Sequence, residues 1–152
     1  MKTENKNIAD KTMVVKSRTE NLSEIREFIH STANRINIPP EVLDDITLAV
    51  DEACTNIIKH AYKFYPDGEI IVKVKYSDKK FEIKIIDHGE SFHPDPVPKP
   101  DLEKYYQQRR VGGLGMYLMK SLMDKVEYIS IPGKYNECCL IKNLNSSAGN
   151  GC

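Results

Sequence analysis

Glu52, Asn56 and His60 recur at intervals of four residues within Leu48-Ala-Val-Asp-Glu-Ala-Cys-Thr-Asn-Ile-Ile-Lys-His-Ala-Tyr62. At about 100° per residue, a helix through this stretch aligns the three side chains in one polar row, to whose start Asp45 adds. An apolar row of Ile46, Val50, Ala53 and Ile57 runs beside it. Such a helix buries one stripe and aims a carboxylate, an amide and an imidazole into an adjoining cavity. A carboxylate can take a proton from a hydroxyl or a water, and an amide oxygen is a hard ligand suited to magnesium. An isolated row of this kind is more often a solvated helix edge. Two glycine-bearing segments downstream shift the balance.

The first is Ile85-Ile-Asp-His-Gly-Glu-Ser-Phe92, at the end of a strand. There Asp87 can accept from an exocyclic amine, and Gly89 lets backbone approach a flat ring. Alone, the pattern Asp-x-Gly is equally an ordinary turn. The second is Arg109-Arg-Val-Gly-Gly-Leu-Gly-Met116. Gly112, Gly113 and Gly115 leave backbone N–H groups uncovered at a helix start, where the dipole also favours anions. By mechanism this is a phosphate cradle, preceded by Arg109 and Arg110. It lacks the GK[ST] ending of a Walker A loop, and no βαβ unit surrounds it as a Rossmann turn requires.

The elements that position these groups follow from periodicity. Residues 12 to 17 suit a first strand. A helix follows from about Asn21, where Asn21 and Glu24 resemble a capping box and Leu22, Ile25, Phe28, Ile29, Ala33 and Ile36 repeat at helical spacing. Pro39-Pro40 breaks the chain, and Pro40 is placed to open a second helix over 41–63, which carries the polar row. Pro66-Asp67-Gly68 is a turn. Ile70, Val72, Val74 and Tyr76, then Phe81, Ile83 and Ile85, alternate with neighbours as two antiparallel strands joined at Ser77-Asp78-Lys79-Lys80. From Glu90 to Arg110 the chain is proline-rich and poor in apolar residues, which predicts a functional lid or a disordered segment. A third helix over 113–124 follows, with Leu114, Leu118 and Leu122 on one side. A last hairpin joins Val126–Ile131 to Cys138–Leu144 around Pro132-Gly133. The order β-α-α-β-β-lid-α-β-β predicts an α+β fold, a two-layer sandwich with three helices on one face of a mixed, mostly antiparallel sheet.

Composition narrows the function classes. The chain has 152 residues, 40% of them hydrophobic and 29% charged, as an ordinary soluble domain has. Lys plus Arg and Asp plus Glu number 22 each, so there is no basic field to hold nucleic acid. No apolar run reaches membrane-spanning length, and Met1 to Asp10 has no signal-peptide core, so no membrane partner and a cytoplasmic location are expected. Cys54, Cys138, Cys139 and Cys152 form no CxxC pair and are expected as free thiols. A flexible N-terminus (1–10), one domain (11–145) and a flexible tail (146–152) are expected.

Together and in this order, the three segments resemble the N, G1 and G2 boxes of the GHKL (Bergerat-fold) ATP-binding superfamily, over nearly the whole chain. Within it the sequence is most similar to the small bacterial anti-sigma-factor serine/threonine kinases. The matching residues are Leu48–Glu52, Asn56 and His60–Tyr62, then Asp87–Gly89 with Ser91-Phe92, then Gly112–Gly115 followed by Leu122–Val126. The resemblance implies a histidine-kinase-like ATP-binding domain with ATP and Mg²⁺ as cofactors. In it Glu52 is the general base, Asn56 holds Mg²⁺, and Asp87 binds the adenine amine. Gly89 admits the ring, and Gly112, Gly113, Leu114 and Gly115 line the phosphates with Arg110 beneath an ATP lid. His60 is a further nucleotide-site candidate, with packing near the helix end as its other role. The implied partners are a sigma factor and, as phosphorylation substrate, an anti-anti-sigma factor of STAS type. A homodimer through the sheet or the first helix is compatible with the sequence.

Two departures stand out. Ser91 replaces a more general glycine, and the last strand reads Asn136-Glu137-Cys138 where the family often has Gly-Thr near the adenine. Among alternatives, a histidine kinase lacks its dimerising helix pair here, since His30 and His60 both fall within the domain. A chaperone- or gyrase-like machine would need a second, transducing domain. A nucleotide-gated binding protein without catalysis is the nearest rival, against which an intact Glu52 speaks.

Overall fold

In the computed structural model, which describes residues 9–91 and 112–144, the sheet is governed by two-residue alternation. Ile70, Val72, Val74 and Tyr76 are buried while Lys73 and Lys75 face water, along β2 (Glu69–Tyr76). β3 (Lys80–Asp87) repeats the pattern with Phe81, Ile83 and Ile85 inside. β1 (Ala9–Lys16), β4 (Lys125–Ile131) and β5 (Tyr135–Asn143) complete the sheet in the order β1-β2-β3-β5-β4. Every pairing is antiparallel, so the expected mixed sheet is antiparallel throughout.

Three helices supply the second layer: α1 (Leu22–Ala33), α2 (Pro40–Asn56) and α3 (Gly112–Leu122). Pro40 sits in the first turn of α2, where a missing N–H leaves no bond unmade. Ile25 and Ile29 of α1, Ile46, Val50 and Ala53 of α2, and Met116 and Met119 of α3 meet the inner sheet residues in one core. The other sheet face is open, with Val14 54% and Ile129 45% exposed. This is the expected α+β sandwich.

Four details differ from expectation, each for a local reason. β1 begins at Ala9, so Ala9 and Asp10 pair with Tyr76 and Lys75 instead of belonging to a flexible end. A 3₁₀ turn, Thr19–Asn21, leads into α1 and gives Asn21 helical dihedrals. Its side chain therefore makes no capping bond and donates to the Lys16 carbonyl at 3.0 Å. Among the described side chains of α3, Met116 and Met119 are buried while Leu118 and Leu122 are only half-buried, so the methionines face the core more fully than these two leucines of the predicted stripe.

The fourth concerns α2. Regular α-helix stops at Asn56, and Ile57–Ala61 form a π turn in which Tyr62 N–H donates to the Ile57 carbonyl at 2.9 Å. The wider turn breaks the expected polar row after Asn56 and leaves His60 exposed. Lys63 and Phe64 follow with φ of 51° and 65°, a left-handed conformation costing about 1 kcal/mol per residue.

Candidate functional site

Row by row, the inner face of the sheet is largely apolar, Lys11 and Lys142 excepted, until the row of Asp87. Val72, Ile85, Cys138 and Tyr128 share one row within the core or packed against it. In the next row out, Asp87 pairs with Ile70 and Asn136, and Asn136 pairs with Ser130. Antiparallel register thus places a carboxylate, an amide and a hydroxyl side by side at one end of a hydrophobic sheet.

Asp87 is 1% exposed. Its Oδ1 accepts from Gly89 N–H at 2.9 Å and from Asn136 Nδ2 at 2.8 Å. Its Oδ2 is buried with no partner among the described residues. Burial holds the Asp87 pKa above the usual carboxylate range, against the lowering pull of Asn136, the Gly89 N–H and His88. A buried acceptor left unfilled is costly. The donor it fits is an amine on a ligand that enters from the sheet end.

Asn136 is as buried as Asp87. Its Nδ2 also reaches the Gly89 carbonyl at 3.3 Å and the Glu90 carbonyl at 3.1 Å, while its Oδ1 accepts from the Ser130 hydroxyl at 2.6 Å. The sequence marks Asn136 only as a departure from a pattern, and Ser130 not at all. A buried Asn within a strand is the one signal available, because strands disfavour it.

The π turn closes this end of the site. A Cβ on Gly89 would lie 2.5 Å from the Ala61 carbonyl oxygen, which accepts from Glu90 N–H at 2.9 Å. A close approach is what the sequence predicts at Gly89, and the neighbour the structure shows there is Ala61. Tyr62 spans two strands: its hydroxyl donates to the Glu69 carbonyl at 2.7 Å and accepts from His88 N–H at 2.9 Å. Its ring fills the space beside Gly68, where a Cβ would collide with it.

Glu52 lies on α2, half-buried, with Asn56 one turn further on. Burial raises the Glu52 pKa, Asp51 raises it further, and Lys59 opposes them. A carboxylate tuned upward is a better match for proton abstraction near neutrality. A Cβ on Gly115 would lie 2.5 Å from Glu52 Oε1, so glycine at this point of α3 leaves room for the carboxylate. The first and third sequence segments therefore meet at Glu52 and Gly115. Gly112, Gly113 and Leu114 fall in the first turn of α3. Arg110 and all of the expected lid beyond Ser91 lie outside the described residues, as does the whole of the expected tail, 146–152.

Other features belong elsewhere. A groove of about 630 Å³ between the α1–α2 turn and the β2–β3 hairpin, lined by Ile36, Ile38, Val42 and Leu144, holds none of these groups. Cys54, Cys138 and Cys139 are buried free thiols; burial pushes Cys138 up to about 12, which makes it a poor nucleophile. Among the described residues no helix is long and apolar enough to cross a membrane.

Comparison with known proteins gives a consistent picture. Residues 15–142 match the histidine kinase-like ATPase domain. The chain is 36% identical over 119 residues to the serine-protein kinase RsbW of Bacillus subtilis, covering 75% of this chain and 74% of the relative. It is 33% identical over 120 residues to the RsbW of Listeria monocytogenes, over 76% of each chain. With the RsbW of Bacillus pumilus it shares 37% over 122 residues, or 76% of this chain and 75% of the other. Among solved structures, the RsbU and RsbW domains of Rv1364c from Mycobacterium tuberculosis align with a TM-score of 0.64 at 15% identity. That alignment spans 88% of this chain and 32% of the longer one, and it speaks for the fold alone.

Proposed function

We propose a function from one premise: this chain belongs to the histidine kinase-like ATPase family and is a protein-serine kinase that uses a nucleotide. It acts, in this proposal, as an anti-sigma factor. It sequesters a sigma factor and phosphorylates a Ser or Thr on an anti-anti-sigma antagonist of STAS type. The observation that carries the nucleotide part is Asp87 Oδ2, a buried acceptor with no partner among the described residues and suited to the adenine amine. The phosphates then lie at the start of α3, over Gly112, Gly113, Leu114 and Gly115, which Arg110 and the lid segment directly precede in sequence.

Phosphoryl transfer asks the protein to position the nucleophile, neutralise charge and exclude water. Glu52 takes the proton as the substrate hydroxyl oxygen bonds to the γ-phosphorus. The bond from that phosphorus to the bridging oxygen breaks, and ADP leaves. Asn56 fits a magnesium site as a single hard oxygen donor beside the base, the remaining ligands being phosphate and water. The ion would supply charge neutralisation at the phosphates. His60, exposed on the π turn, serves in packing and hydrogen bonding near the helix end in this scheme. The open sheet face, with Val14 and Ile129 exposed, supports a homodimer through the sheet.

The test is to incubate the protein with labelled ATP, Mg²⁺ and candidate STAS-type proteins from the same genome. Label on a Ser or Thr of one partner is the expected result. Tight ATP binding with no transfer to any of them would instead favour a nucleotide-gated binding protein.

A further inference from the structure

We propose that Asn136, braced by Ser130, sets base selectivity: its amide holds Asp87 as an acceptor-only carboxylate, so that Oδ2 takes an amino purine and rejects an oxo purine. This rests on the nucleotide-site reading above and concerns how that site discriminates.

The amide cannot turn over. Its Nδ2 faces three oxygens, Asp87 Oδ1, the Gly89 carbonyl and the Glu90 carbonyl, none of which can donate while Asp87 is ionised. A flipped amide would set its own oxygen against all three. On the other side, the Ser130 hydroxyl donates to Oδ1 at 2.6 Å and holds the amide in place, the three oxygens having decided which way it points. Both neighbours that bond Asp87 Oδ1, the Asn136 amide and the Gly89 N–H, are donors, and donors favour the charged carboxylate.

Charge state decides selectivity because the two purine types invert the hydrogen bond. An ionised Asp87 accepts from an exocyclic amine, whereas a protonated Asp87 can donate to an exocyclic carbonyl. Burial pushes Asp87 toward the protonated form. The groups that face it are His88 beside it, Tyr62 after the π turn, Tyr128 on β4 and Cys138 on β5. Of these only His88 can bring positive charge, and it is exposed. The phenols and the thiol have raised pKa values and stay neutral near neutrality. Among the described residues Asn136 is therefore the one side chain that hydrogen-bonds the carboxylate as a donor and favours its charged form. Without it, the carboxyl protonates at higher pH, and adenine selectivity is lost as pH falls through that raised value.

The experiment measures ADP and IDP affinity by calorimetry from about pH 6 to about pH 9 for wild type, Asn136→Ala and Ser130→Ala. Wild type is expected to prefer ADP by about 100-fold or more, with little change across the range. In Asn136→Ala the preference should fall by about tenfold or more at the acid end and recover toward wild type at the alkaline end. Ser130→Ala keeps the amide but loosens it, so the same trend appears at a few-fold amplitude, and it carries the test if Asn136→Ala does not fold. Equal weakening of ADP and IDP at every pH in Asn136→Ala, or a Ser130→Ala profile identical to wild type, would overturn the selectivity role. Wild type that binds neither nucleotide would overturn the site reading itself, a distinct failure.

Discussion

At the Asp87 end of the site, strands hold every group: Asp87, Asn136 and Ser130 sit in one register row, all buried or half-buried, bonded to each other and to backbone. At the Glu52 end, two helices hold the groups. Glu52 and Asn56 are half-buried on α2, and α3 contributes a glycine, which makes space instead of a bond. One end is densely hydrogen-bonded and leaves one acceptor, Asp87 Oδ2, unfilled among the described residues, which suits the proposed recognition of a flat ring. The other keeps its carboxylate loosely enclosed and tuned upward, as a group that must receive a proton requires. In the proposed scheme recognition and chemistry fall to different layers of the sandwich, so the two should separate under mutation.

The sharpest break is Glu52→Gln. Transfer should fall by about 100-fold or more, the range for a positioned base, while ATP binding persists. Transfer at the wild-type rate with full occupancy would remove Glu52 as the base. Asp87→Asn should do the converse, cutting ATP affinity by roughly 10- to 100-fold, as loss of a hydrogen bond to a charged group does. Calorimetry that finds unchanged affinity would erase the contrast between the ends. Asn56→Ala should remove the Mg²⁺-dependent part of nucleotide affinity, on the order of tenfold; titrations with and without the ion decide it.

Two smaller effects refine the comparison. Tyr62→Phe loses the hydroxyl that joins Glu69 to His88 and should cost about 1 kcal/mol in urea unfolding, with faster amide exchange at His88. The last uses the sign of the Glu52 shift. Its carboxyl is held above the ordinary 4.5, so the folded state binds that proton more readily than the unfolded chain. Stability from this group is therefore present at low pH and lost as pH rises through the raised value. Glu52→Gln, neutral throughout, should melt a degree or two higher than wild type near neutrality, with the gain closing as pH falls toward the carboxylate range. A gain that stays constant with pH would assign it to packing.

Glu52, Asn56, Asp87 and Gly115 were legible because each belongs to a short, locally spaced pattern whose chemistry is visible in the residue types. The β2–β3 hairpin was legible for the same reason, its alternation being local. Asn136 was not. Its bond to Asp87 spans 49 residues, and nothing local says which strand will lie beside β3. Ser130 inherits its place from the same register. The π turn escaped because nothing local in Ile57 to Ala61 signals it; its Ala61 carbonyl accepts from Glu90 just beyond β3, a contact between segments distant in sequence.

A π turn is an α-helix carrying one residue too many. Removing any one of the five residues between Ile57 and Ala61 would return the ladder to ordinary spacing and rotate everything beyond it by about 100°. Tyr62 would swing away from Glu69 and His88, and the Ala61 carbonyl away from Glu90. Glu52 and Asn56, upstream, would keep their places on α2. The phasing between the helix that carries Glu52 and the sheet end that carries Asp87 is thus encoded in chain length and not in residue identity. A substitution scan of this stretch would pass over that dependence, whereas a single-residue deletion scan would expose it.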